Sequence, residues 1–257
     1  MSNQFNAYAE YYNLFYAGKN YAAESKYVHN LIQDHKSNSV EILEFGCGSG
    51  GHARELQPYG YSMHGVDISH AMLKQAETLA RTNPKNLNFS HGDLRTLALA
   101  KEFDVVLSLF HVMGYQNSND DLARAFSSAY RHLKPGGLFI YDFWYGPTVL
   151  SEGPSTKVLQ VADGKKQIMR ISQPSLDLKR NICNVSYSIF VKSDNENYKK
   201  ISEEHSMRYF FQNEFSQFEE NKFECLGEFS WLTKNSLELG DWYGVRVCKK
   251  VTKKVGL

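Results

Sequence analysis

VEILEFGCGSGG (residues 40–51) decides how this chain is read. The run VEILEF is short, apolar and closed by Gly46, which is the pattern of a buried strand. Gly46, Gly48 and Gly51 fit G-x-G-x-x-G, and Gly51 to Leu56 reads as the start of a helix. Glycines between a first strand and its helix let backbone approach a ligand closely at the helix N-terminus. The same glycines also fit a plain turn, so the neighbouring segments must decide.

Downstream, short apolar strands alternate with helical patterns over residues 41–144. SMHGVD (62–67), LNFSHGD (87–93), FDVVLSLF (103–110) and LFIYDFW (138–144) read as strands two to five. Between them, Ser69 to Thr82 carries Met72, Leu73, Ala76, Leu79 and Ala80 at helical spacing, with Ser69 as N-cap. Asp120 to Leu133 places Leu122, Ala125, Phe126, Ala129, Tyr130 and Leu133 on one face, and Lys134-Pro-Gly-Gly137 stops it. Such alternation predicts a doubly wound α/β fold, a parallel sheet with helices on both faces.

The two ends differ from this centre. Residues 5–37 read as two helical pieces broken at Ala17-Gly18, with Asn20 capping the second and Val28, Leu31 and Ile32 as its buried stripe. Over residues 157–211 the helical period is lost. Val185, Tyr187, Ile189 and Val191 alternate with Asn184, Ser186, Ser188 and Phe190, Asp163-Gly164 signals a hairpin, and Ser193 to Asn197 is a polar turn. A roughly four-stranded antiparallel insertion is expected there. A short helix near Asn213 to Asn221 and strands at Phe223 to Phe229 and Trp242 to Val251 close the chain. The expected organisation is a helical arm (1–37), a ligand-binding core (38–150), a β insertion over the cleft (151–212) and a C-terminal completion of the sheet (213–257).

Lys plus Arg number 29 and Asp plus Glu 28, a balance that offers no basic footprint for nucleic acid. The opening MSNQFNAYAEYY is too polar for a secretory leader, and no apolar run is long enough to span a bilayer. Cys47, Cys183, Cys225 and Cys248 form no CxxC pair, and the nine histidines form no ligand cluster, so no metal is expected. These features predict a reduced, cytoplasmic protein with no membrane or nucleic-acid partner, as monomer or homodimer. Aromatic residues reach 14%, which fits a Tyr-rich core or an aromatic-lined pocket.

Asp67 ends the second strand, where a carboxylate can accept both hydroxyls of a ribose. Glycine loop and Asp67 together suit a nicotinamide dehydrogenase and an S-adenosylmethionine enzyme equally. Glu44-Phe-Gly46-Cys-Gly48-Ser-Gly50, Asp67-Ile-Ser-His-Ala-Met-Leu73, Gly92-Asp93 and Leu133-Lys-Pro-Gly-Gly137 resemble, as a set, the class I S-adenosylmethionine-dependent methyltransferases. The resemblance implies a seven-stranded, Rossmann-like sheet with one reversed strand, for which Trp242 to Val251 is the candidate. It also implies cofactor-binding roles for Gly46, Gly48, Gly50, Asp67, Ile68, Asp93, Leu94 and Leu109. For Asp93 the competing reading is a turn aspartate, and for Leu109 simply core.

Tyr11-Tyr-Asn-Leu-Phe-Tyr16 through Tyr21-Ala-Ala-Glu24, and Ser108-Leu-Phe-His-Val-Met-Gly-Tyr115, resemble segments of the N,N-dimethyltransferases of nucleotide-linked amino sugars, as does the region from Glu204-His205 to Glu214. That resemblance implies a small-molecule substrate, a nucleotide-linked amino sugar. Tyr16 and Tyr21 then face the cofactor or pack between helices. His111 and Tyr115 are the candidate catalytic contacts, and Tyr16, His111, Tyr115, Tyr145 and His205 the candidate substrate contacts. His111 and the segment Asp142-Phe-Trp-Tyr-Gly-Pro147 depart from the family pattern, which leaves N- and O-transfer both open. A sugar O-methyltransferase, a non-catalytic S-adenosylmethionine-binding regulator and a nicotinamide dehydrogenase are the rival readings.

Overall fold

The computed structural model describes residues 6–81, 86–164, 166–192 and 197–252. Strands and helices are numbered along the chain. β1 (Glu41–Phe45) pairs parallel with both β2 (Ser62–Asp67) and β4 (Phe103–Ser108). β3 (Leu87–His91) adds parallel to β2, and β5 (Leu133–Trp144) parallel to β4. β11 (Tyr243–Lys250) lies antiparallel on β5, and β10 (Phe223–Ser230) antiparallel on β11. The seven-stranded order is β10-β11-β5-β4-β1-β2-β3, with β11 as the expected reversed strand. The order turns back between β1 and β4, which opens a crevice at their carboxyl ends.

Strand alternation explains why both faces are covered. Ile42, Val105, Leu107 and Ile140 meet Val28, Leu31 and Ile32 of α2 (Tyr21–Lys36). Leu43, Phe45, Val106 and Phe139 point the other way, into Leu122, Ala125 and Phe126 of α5 (Asn119–His132). Each such fully buried Val, Leu, Ile or Phe side chain contributes about 1.5–3 kcal/mol. Side-chain caps fix the helix starts: Asn20 accepts from Ala23 N at 3.0 Å, Ser69 from Met72 N at 3.3 Å and Ser118 from Asp121 N at 3.1 Å.

β6 (Lys157–Asp163), β7 (Lys166–Asp177), β8 (Ile182–Lys192) and β9 (Lys199–Arg208) form the expected antiparallel four-stranded insertion. Ile168, Ile189 and Val191 on its inner face pack with Tyr8 and Phe15 of α1 (Asn6–Phe15) and Met72 of α4 (His70–Ala80). Arm, insertion and α4 thus share a third core, which walls the crevice.

Several local expectations are corrected. β5 starts directly after α5 at Leu133, so Lys134 to Gly137 is an irregularity at the start of that strand rather than a separate loop. β3 and β4 end at His91 and Ser108, short of Asp93 and Phe110. An unforeseen helix, α6 (Gly146–Glu152), carries Pro147 in its first turn and stops at Gly153. The late helix is a 3-10 turn (Gln212–Phe215) followed by α7 (Ser216–Glu219). Thr82 and the turn residues 193–196 lie outside the described residues. Among the described residues no helix is long and apolar enough to cross a membrane. Cys225 and Cys248, far apart in sequence, face each other across β10 and β11 as free thiols.

Candidate active site

A cavity of about 1070 Å³ lies at the carboxyl ends of the strands, between the arm, the insertion and the start of β11. Pockets for single small ligands run to roughly 300–1,000 Å³. The space therefore suits a cofactor together with an acceptor.

At one end stands the glycine loop. Gly46, Gly48 and Gly50 all adopt left-handed φ, at +64°, +54° and +78°. A Cβ on Gly48 would meet nothing within 4 Å, so this backbone borders open cavity. Gly50 is different: its Cβ would stand 2.9 Å from the Phe89 ring, and the residue packs on β3 instead of lining the cavity. Asp67 Oδ2 accepts from Gly48 N and Oδ1 from Ser69 N, both at 2.8 Å. Burial pushes the Asp67 carboxyl upward in pKa and these N–H donors pull against it. Each oxygen keeps a second lone pair for a ligand. Ile68 beside it is 47% exposed, an apolar shelf at the rim.

Leu94 and Leu109 line the cavity as well as the core. Asp93 lines it too, but its carboxylate already accepts from Arg95 Nε at 2.9 Å, and Arg95 reaches on to Asp121 at 2.9 Å. The Arg95 guanidinium holds the Asp93 carboxyl below its usual range.

After β4 the chain turns sharply. Phe110 and His111 both take left-handed φ, +62° and +65°. Buried Asp142 on β5 accepts both their backbone N–H groups, at 3.0 and 2.8 Å. His111 stacks on Tyr243 with ring centroids 4.5 Å apart. Its Nδ1 lies 3.2 Å from Asp142 Oδ2, yet without hydrogen-bond alignment. Tyr115 hydrogen-bonds His205 Nδ1 at 2.8 Å, and His205 Nε2 sits 3.2 Å from Glu203 Oε2. The sequence-predicted His111, Tyr115 and His205 thus converge on one cavity, although His205 is ninety positions from Tyr115.

Tyr145 does not join them. Its side chain is buried with Phe143 and Phe210 in the α5-side core, and Trp144 faces the cavity in its place. Asp142, Trp144 and Arg170 are site residues the sequence reading missed. Arg170 Nη1 donates to Tyr8 Oη at 2.6 Å and stands over the Phe15 and Tyr187 rings. Only the departure at Asp142-Phe-Trp hinted at any of them.

Tyr16 and Tyr21 both line the cavity, and an ionic chain ties their arm to the glycine loop. Lys19 lies over the Phe110 ring at 4.0 Å and contacts Glu24. Glu24 meets His52 Nε2 at 2.8 Å, and His52 Nδ1 lies 3.4 Å from Glu44. The Tyr21 ring packs edge-on against His52, over Gly51. Burial alone would depress the His52 pKa, but the Glu24 and Glu44 carboxylates override it and push it up to about 9. A raised pKa gives stability that is complete below the unfolded value of ~6.5 and lost as pH rises through about 9. The thermal midpoint should therefore fall more steeply from pH 7 to 9.5 in wild type than in His52→Gln. Parallel slopes for the two proteins would disprove the link.

The cavity wall also carries unmet polar groups. Among the described residues, His111 Nδ1, Gln116 Oε1, Asn117 Oδ1, Trp144 Nε1, Arg170 Nε and Ser172 Oγ are buried without a hydrogen bond, and all belong to lining residues. Buried polar groups are ordinarily bonded, so their concentration in lining residues sets this wall apart from the rest of the core. The open cradle at Gly48, the Asp67 carboxylate and the exposed Ile68 fit the methionine, ribose and adenine parts of S-adenosylmethionine.

Comparison with known proteins agrees. Residues 42–137 match a methyltransferase domain family. The dTDP-3-amino-3,4,6-trideoxy-α-D-glucopyranose N,N-dimethyltransferase of Streptomyces venezuelae is 29% identical over 167 residues, 64% of this chain and 68% of that one. The dTDP-4-amino-2,3,4,6-tetradeoxy-D-glucose N,N-dimethyltransferase of Saccharopolyspora spinosa is 27% identical over 172 residues, 67% of each chain. An S-adenosylmethionine-dependent methyltransferase from Clostridium acetobutylicum superposes with a TM-score of 0.79 at 24% identity, over 97% of this chain and all of that one. The nicotinamide and non-catalytic readings fall with these matches. With its methyltransferase domain over residues 42–137, the chain is an S-adenosylmethionine-dependent methyltransferase, similar to the nucleotide-linked amino-sugar N,N-dimethyltransferases named above.

Proposed function

We propose that this enzyme methylates the amino group of a nucleotide-linked sugar. The observation that carries the reading is the size and lining of the cavity: beyond the glycine loop it continues to Trp144, Arg170 and Ser172, which leaves room for a second, polar ligand beside the cofactor end. The relatives named above act on dTDP-linked amino sugars, and this chain aligns with two thirds of their length.

S-adenosylmethionine supplies an activated methyl on a sulfonium. The chain's task is to hold the acceptor against it. Orientation of that kind is worth up to ~7–11 kcal/mol in well-aligned systems, whereas a general base adds ~10²–10⁴-fold. Gly48 and Asp67 fix one partner, and the wall of Trp144, Tyr115 and Arg170 fixes the other. The test is methyl transfer to dTDP-3-amino and dTDP-4-amino deoxysugars, read by mass, against the matching hydroxyl sugars. Methylated amines support the proposal, and products from the hydroxyl sugars alone overturn it.

One observation favours the O-transfer alternative: His111 lies beside the Asp142 carboxylate, a pairing suited to drawing a proton from a hydroxyl. His111→Asn discriminates. With an amine acceptor the single-turnover rate should drop about tenfold or less, because alignment carries the rate. A hydroxyl acceptor needs the base, and the loss would reach ~10²–10⁴-fold. We expect the smaller loss, and a thousandfold drop with intact cofactor affinity would establish O-transfer.

A further inference from the structure

Glu203, beside His205 on β9, has no place in the alignment argument above, yet it sits in a continuous chain. Tyr115 Oη and His205 Nδ1 are 2.8 Å apart, His205 Nε2 and Glu203 Oε2 3.2 Å, and Glu203 Oε1 accepts the backbone N–H of Tyr8 at 2.9 Å. The His205 and Glu203 side chains are 3% and 8% exposed, so their contact is largely shielded from bulk water. The chain runs from the cavity to the first turn of α1. We propose that Glu203 is a positioning residue that sets the tautomer of His205, and through it makes Tyr115 the proton acceptor for the amine. The proposal rests on the amine reading above.

The order of the chain follows from which atoms can donate. A carboxylate only accepts, so His205 places its one hydrogen on Nε2 and leaves Nδ1 bare. Bare Nδ1 takes the Tyr115 O–H. With its hydrogen committed there, Tyr115 meets any other group as an acceptor. Burial holds the Tyr115 phenol well above its usual pKa, so it keeps that hydrogen. An amine N–H donating to Tyr115 would have its lone pair turned toward the methyl donor. As the new N–C bond forms, the electron pair of the breaking S–C bond stays on sulfur and the nitrogen becomes an ammonium. Its proton passes to Tyr115 oxygen while the Tyr115 proton passes to His205 Nδ1. The resulting imidazolium is paired with Glu203. The same route frees the lone pair of a monomethylated product for a second round.

Glu203→Gln tests this sharply. The amide oxygen can keep the bond to Tyr8 N, which turns its NH₂ toward His205 Nε2. Two donors would then face each other, so His205 must move its hydrogen to Nδ1 and Tyr115 loses its acceptor. Histidine ¹⁵N shifts, measured with S-adenosylhomocysteine bound, should show Nε2–H in wild type and Nδ1–H in Glu203→Gln. With a dTDP-linked amino sugar, kcat should fall about 10²-fold, the lower end of acid–base effects. KM for S-adenosylmethionine should hold within about twofold, and Glu203→Asp should recover much of the rate. Nδ1–H in wild type, or an unchanged kcat in Glu203→Gln, overturns the proposal. The tautomer is read without any acceptor. An Nε2–H wild type that methylates only hydroxyl sugars would therefore overturn the amine reading and leave the tautomer assignment standing.

Discussion

Asp67→Ala should weaken S-adenosylhomocysteine by about 10- to 150-fold, the equivalent of the ~1.5–3 kcal/mol typical of hydrogen bonds to a charged group. Two losses add. The ligand's ribose hydroxyls lose a carboxylate at the end of β2, and Gly48 N and Ser69 N lose the acceptor that shapes the cradle. Asp67→Asn separates them. It keeps one oxygen for one of these N–H groups, so it should fall between wild type and alanine. Calorimetry reads the affinities, and thermal unfolding verifies that the variants are folded. A folded Asp67→Ala protein with wild-type affinity would show that the ribose lies elsewhere. The fold should tolerate the change better than the site does, because Asp67 closes β2 and is not one of the core side chains of the sheet.

What the sequence made legible was local. The glycine loop, the caps at Asn20 and Ser69, and the alternation of Val185, Ile189 and Val191 depend on residues a few positions apart, and each is found as expected. The reversed strand β11 was legible by its apolar pattern and by resemblance. Contacts made across the fold were not. Phe110 and His111 stand in left-handed backbone because an acid thirty-one residues further on accepts their N–H groups, and nothing in Ser108 to Tyr115 announces it. Tyr145 shows a finer limit. Along a strand successive side chains point to opposite faces. Tyr141, Phe143 and Tyr145 share the core face, and Asp142 and Trp144 the other. The strand's parity therefore turns Trp144, and not Tyr145, toward the cavity. His205 reached the site because β9 crosses beneath Tyr115, a juxtaposition set by the insertion's register with β8 and not by any motif. Arg170 likewise owes its place to the packing of β7 on the arm's tyrosines.

Asp142→Asn should destabilise the fold and slow the reaction together. Asp142 is 1% exposed and supplies both acceptors for the turn after β4. Non-glycine residues in the left-handed region cost of order ~1–3 kcal/mol each and persist only where the surroundings hold them. Here two stand in succession, and one carboxylate holds both. Asparagine offers one oxygen. Its NH₂ would meet the second backbone N–H, leaving a buried donor without an acceptor. A lost charge-assisted bond and an unmet donor together cost about 3 kcal/mol. For a chain of this size that lowers Tm by about 6–12 °C. The consequence reaches the chemistry, because the same turn places His111 against Tyr243 and leads into the 3-10 turn that carries Tyr115. The single-turnover rate should therefore fall further in Asp142→Asn than in His111→Asn, which replaces the imidazole but leaves the carboxylate that holds the turn. Thermal unfolding and rapid-quench methyl transfer on the two variants decide the matter. A midpoint within about 2 °C of wild type, less than the shift for 1 kcal/mol, would mean that the turn holds its shape without the carboxylate.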